Sequence, residues 1–205
     1  MKMLFVSNTI EKTVFKAVLC AFLICLMLSM ISFDAESQAI SEEVLRLHIL
    51  ADSDSAEDQA LKLKVRDRIQ ELCADIFSQC DSETDAENIV EKRLPEILSA
   101  ASEVVRENGG SDVVRGELVN MYFTTRTYDN ITLPAGNYNA LRITIGSGSG
   151  HNWWCVMFPP ICVGAASDVN ISDVLNDDQT ELVTSNHIEY KFKIYELYEN
   201  LVNKF

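Results

Sequence analysis

The first apolar stretch of the chain is unbroken: Ala17 to Phe33, AVLCAFLICLMLSMISF, carries no charge. Lys2, Lys12 and Lys16 precede it, and Asp34, Glu36 and the small-x-small signature Ser37-Gln38-Ala39 follow. A bilayer-spanning helix takes about 20 apolar residues and a signal-peptide core about 7 to 15, so the run falls between the two. Its flanks read as an export segment cleaved after Ala39, with an uncleaved N-terminal anchor as the alternative. The lysines keep the N-terminus inside, which places residues 40–205 outside the cytoplasm on either reading.

The later patterns change period. Leu45, Leu47 and Ile49 alternate as one face of a short strand, which breaks at Asp52-Ser53-Asp54-Ser55. Ser55-x-x-Asp58 resembles a capping box, and a helix from Glu57 lines up Leu61, Val65, Ile69, Leu72, Cys73, Ile76 and Phe77. A second helix from Asp85 to Glu107 contains Pro95, expected to kink or divide it, and Gly109-Gly110 ends it. From Glu117 the chain turns to strand texture, with Leu141, Ile143 and Ile145 alternating before the Gly/Ser loop at 146–150 and HNWWCVMFPPIC at 151–162. An acidic stretch at 165–186 reads as weakly structured, and Ile188 to Ile194 alternates again as a strand. The order strand, two helices, then strands predicts an α+β two-layer sandwich with an antiparallel sheet. The division is residues 1–39 as signal peptide or anchor and 40–205 as exported domain.

Composition narrows the function classes. The 205 residues hold 17 basic and 31 acidic side chains, a formal charge of −14 that survives removal of residues 1–39, since three of each sign leave with them. Such a surface repels polyanions, so nucleic acid and anionic lipid surfaces are poor partners. Of six cysteines, Cys20 and Cys25 lie in the apolar run. Cys73 and Cys80 sit roughly 10.5 Å apart along a helix, too far for a disulfide, and read as small core residues. Cys155 and Cys162 flank Phe158-Pro159-Pro160 and are the expected disulfide.

Recognisable chemistry is sparse. Asp52, Asp54, Glu57 and Asp58 lack the Gly and Glu that a calcium loop needs, and helix capping accounts for them. Gly146-x-Gly148-x-Gly150 follows a strand but does not open a helix, as a dinucleotide loop must. Cys155 with His151, His48 or His187 is the one thiol–imidazole combination. No metal site or cofactor is expected. Trp153 and Trp154 are adjacent, so in a strand they face opposite sides, and an outward tryptophan suits a partner contact.

Two blocks, LRLHILADSDSAEDQALKLKVRD at 45–67 and NYNALRITIGSGSGHNWWCVMFPPIC at 137–162, resemble the signatures of the stage II sporulation protein R family. The resemblance implies a non-catalytic signal exported from the forespore into the space between forespore and mother-cell membranes. There it would activate a membrane-embedded aspartic peptidase that processes the sigma-E precursor. Expected contact residues are His48, Asp52, Asp54, His151, Asn152, Trp153 and Trp154, with Arg46, Lys64 and Arg66 as alternates whose simpler role is a solvated or salt-bridged face. An exported Cys- or metal-dependent hydrolase and an envelope-anchored structural protein are the competing readings.

Overall fold

The computed structural model describes residues 2–77, 80–128, 131–160 and 171–185, together with Phe192 and Glu196. The chain forms two compact units, Met1–Ser37 and Gln38–Phe205. Helix α1 runs from Lys2 to Glu42, and Val14, Phe15, Phe22 and Ile24 along it are more than half exposed. Among the described residues no helix is long and apolar enough to cross a membrane.

The second unit is α+β. Strand β1 (Leu45–Leu50) leads through the 52–55 turn into α2 (Ala56–Phe77) and α3 (Glu83–Glu107). Then come β2 (Val114–Phe123), the short pair β3 (Arg126–Tyr128) and β4 (Ile131–Leu133), β5 (Gly136–Ile145) and β6 (Asn152–Phe158). Two short helices follow, α4 (Ile171–Val174) and α5 (Asp177–Thr184). The cap read from Ser55-x-x-Asp58 forms, since the Asp58 N–H donates to Ser55 Oγ at 3.1 Å.

Three expectations are corrected. The main sheet is mixed rather than antiparallel: its order is β2-β5-β1-β6, and β1 runs parallel to β5, from Arg46 opposite Ala140 to Leu50 opposite Thr144. Pro95 does not divide α3. It lies on the exposed side with Glu91, whose carbonyl loses its usual i+4 donor, while Val90, Ile97, Ala101 and Val105 keep the other side packed. The acidic stretch is not weakly structured over its described part, because α5 opens with a capping box between Asn176 and Gln179. Of the expected strand at 188–194 only Phe192 is described, and there the backbone is helical and the side chain fully buried.

Alternation sorts the sheet into two faces. Leu45, Leu47 and Ile49, with Leu141, Ile143 and Cys155, join one cluster with residues of α2 and α3. Cys73 and Cys80 belong to it as buried free thiols, and burial pushes the Cys73 thiol up to about 12. Ile40, Val44, Phe123, Tyr138, Val156 and Val183 contribute to a second cluster.

Arg46 is fully buried, which overturns its solvated-face reading. Its guanidinium lies 4.2 Å from the Phe123 ring centre, 4.8 Å from that of Tyr138 and 5.6 Å from that of Tyr128. Nη2 donates to the Tyr128 hydroxyl, whereas Nε and Nη1 find no partner among the described residues. Three aromatic faces supply the attraction that a carboxylate usually gives a buried cation. Because that attraction only partly offsets desolvation, an apolar side chain of similar length fits as well. Arg46→Met should unfold in urea within about 1 kcal/mol of the parent, and Arg46→Ala should lose about 2–4 kcal/mol through the cavity it opens. A large loss with Met would show that the charge itself is required.

Candidate functional site

The parallel pairing of β1 and β5 brings the turn after one strand against the loop after the other. Asp52 joins them most closely. Its carboxylate accepts the Ser147 N–H at 2.5 Å, and its carbonyl accepts the hydroxyls of Ser147 and Ser149 at 2.9 and 2.6 Å. The Ser147 N–H, with the Ser147 side chain, holds the Asp52 carboxyl below its usual range. Gly150 N donates to Ala51 O at 3.0 Å.

Glycine is required at both ends of this loop. Gly146 has φ +59°, and a Cβ there would stand 2.1 Å from Asp52 Oδ1. At Gly150 a Cβ would stand 2.2 Å from the Ser53 carbonyl oxygen. The Gly/Ser run is therefore a tight loop fitted to the opposing turn, with no phosphate cradle left in its Asp52-bound backbone.

Asp54 holds the end of the same loop. Its carboxylate accepts the His151 N–H at 2.6 Å and pairs with His151 Nδ1, and the His151 side chain is the larger cause of the lowered Asp54 pKa. From below, Lys62 Nζ donates to His151 O at 2.7 Å and to Gln59 Oε1 at 2.6 Å, and Gln59 Nε2 donates to Ser53 O at 2.9 Å. Lys62 is only 4% exposed, and that burial lowers its pKa. Sequence reading missed Lys62 and Gln59. One signal was present: Lys62 lies three positions before Val65, on the edge of the apolar stripe of α2.

The fold separates the expected contact residues into three kinds. His151 and Asn152 are exposed at the start of β6. Trp153, half-buried on the helix side, lies under the Arg66 guanidinium at 4.4 Å, and Arg66 also pairs with Asp67 at 2.5 Å. Asp52 and Asp54 are loop ties that position this rim. His48 and Trp154 point to the other face, stacked with centroids 3.9 Å apart and planes 1° from parallel, and Phe123 meets Trp154 edge-on at 4.8 Å. His48 is 4% exposed and offers no surface to a partner. Neither tryptophan is fully outward, since both are half-buried. Lys64 is exposed and donates to Asn108.

Cys155 is 1% exposed, and its Sγ accepts a hydrogen bond from Gln70 Nε2 at 3.2 Å. Cys162 and His187, the other members of the expected disulfide and thiol–imidazole set, lie outside the described residues. Among the described residues no group of three or more His, Cys, Asp or Glu side chains is placed to hold a metal ion.

Comparison with known proteins supplies the family. The profile of stage II sporulation protein R matches residues 41–168. Stage II sporulation protein R of Bacillus subtilis (strain 168) is 38% identical over 123 residues, which are 60% of this chain and 55% of that protein. The chain thus spans about half the length of that relative. No solved structure matches it.

Two measurements check this geometry. Gly150→Ala should destabilise the chain by about 1–3 kcal/mol in urea, because its methyl group has to displace backbone at Ser53; an unchanged midpoint would show that the loop is not tightly fitted to the turn. The second is a pH titration. Burial drives the His48 pKa down to about 4, Arg142 adds to the effect, and the Asn152 side chain opposes it. The unfolded imidazole, titrating near 6.5, binds its proton first, so stability is full above that pH and falls as pH drops through the window from 6.5 to 4. The loss should be about 2 kcal/mol between pH 7 and pH 5. His48→Phe, which keeps a ring on Trp154, should flatten this slope. Asp52 and Asp54, with lowered pKa values, add to acid sensitivity only below the ordinary carboxylate range.

Proposed function

We propose a signalling role on the premise that this chain belongs to the stage II sporulation protein R family, whose profile covers residues 41–168. Membership gives the chain a part in sporulation. The finer reading is a secreted signal, passed from the forespore into the space between forespore and mother-cell membranes, that activates a membrane-embedded aspartic peptidase and so leads to processing of pro-sigma-E. The signal has no catalysis of its own. It acts by binding the peptidase's active arrangement more tightly than its inactive one, which is how a ligand without chemistry shifts an equilibrium.

One observation carries the reading. The two sequence blocks with the family likeness, 45–67 and 137–162, are the two that Asp52 and Asp54 tie into one rim with Ser147, Ser149 and His151. That rim presents His151, Asn152 and Trp153 beside Arg66, polar and aromatic groups of the kind that anchor protein partners. The thiol-hydrolase alternative fits poorly, since Cys155 is buried behind Gln70 rather than offered to a substrate. A Cys155–Cys162 disulfide, part of the same reading, should leave no alkylatable thiol at either position until the exported protein is reduced.

The test is co-production in a non-sporulating bacterium of the candidate peptidase, its pro-sigma substrate and this chain, either whole or started at Glu36 so that the apolar run is lost and the domain kept. Cleavage of the precursor only with the exportable chain is the expected result. The triple change His151→Ala, Asn152→Ala and Trp153→Ala should reduce that cleavage at least tenfold while circular dichroism and urea midpoint show a folded domain. Cleavage unaffected by the triple change would move the contact surface elsewhere. Failure with a matched peptidase and verified export would overturn the signalling role.

A further inference from the structure

The bond expected to be cut on export, Ala39–Ile40, lies inside the folded second unit. Residues 38–42 form the last turn of α1, closed by Glu43 N donating to Ile40 O at 3.2 Å and by Ser41 Oγ donating to Gln38 O at 2.8 Å. Gln38 Nε2 also donates to Glu42 Oε1 at 3.2 Å along its exposed side. Ile40 and Val44 are 0% exposed and belong to the cluster that holds Phe123, Leu133, Tyr138 and Val156. The turn is therefore part of the domain core.

Once the domain has folded, this bond sits in a packed helical turn, and a peptidase that needs an extended substrate reaches it only through local unfolding. Hydrolysis at this bond would leave two products at odds with the fold. It would break open the helical turn that seats Ile40, a wholly buried residue, and leave a new α-ammonium group at its start. It would also remove the Gln38 carbonyl that accepts from Ser41. Small residues at 37 and 39, which look like a cleavage signature, suit a helix equally well.

We propose, resting on the export reading above, that the Ala39–Ile40 peptide bond survives export and that the secreted domain is presented with the last turn of α1 in place. Any processing cut lies upstream of Gln38.

The test is the intact mass and N-terminal peptide of the full chain after expression in an exporting Gram-positive bacterium, with protease accessibility on whole cells stripped of their wall marking export. The expected result is an accessible protein whose peptides include one spanning Ala39–Ile40, beginning at Gln38 or earlier. An accessible protein that begins at Ile40 overturns the retained bond while leaving the signalling role intact. A chain that stays protected in the cytoplasm overturns export and, with it, this inference. As a second measurement, a folded chain started at Ile40 should melt well below one started at Glu36, and equal midpoints would show that the turn adds nothing.

Discussion

The parallel pairing of β1 with β5 is the constraint on which the rest of the molecule turns. Parallel neighbours end at the same edge of a sheet, so the turn after Leu50 and the loop after Ile145 emerge side by side. An antiparallel pairing would have sent them to opposite edges. Only with this polarity can Asp52 reach Ser147 and Asp54 reach His151. The crossover that parallel strands demand is supplied by α2, α3 and the strand β2, and the two helices serve at the same time to cover one face of the sheet.

The two faces of β1 solve the problem of burial differently. Leu45, Leu47 and Ile49 meet helices through plain apolar packing. The opposite positions are Arg46 and His48, polar groups almost entirely out of water. Each is met by aromatic rings: Arg46 by Phe123, Tyr138 and Tyr128, and His48 by Trp154. A ring face is soft enough to satisfy a cation and flat enough to stack on a neutral imidazole. Both polar side chains are therefore parts of the scaffold behind the rim and not of its surface.

Much of this was legible in the sequence, and the failures have physical causes. Period-2 and period-3.6 patterns located β1, α2, α3 and β5 because burial on one side imposes them whatever the fold. Alternation carries no information on strand direction, so the sheet was read as antiparallel when β1 and β5 are parallel. Pro95 leaves α3 undivided because it and Glu91 fall on the helix's exposed side, a placement that only the tertiary structure fixes. For the site, a place at the loop edges of the two signature blocks singles out Asp52, Asp54, His151 and Trp153, whereas Lys62 and Gln59 act from a helix whose orientation only the tertiary structure fixes. Arg46 and His48 looked like surface groups for the same reason: alternation in a strand buried on both sides places polar residues inward as readily as outward.

The tie between Asp54 and His151 joins residues 97 positions apart. Closing so long a loop is an entropic barrier that local contacts do nothing to lower, and chains rich in such pairings fold slowly. The rim has no partial form: until β5 has docked beside β1, Asp52 and Asp54 lack the partners that residues 147–151 bring. The completed rim is thus a late feature of folding, present only once the sheet has closed.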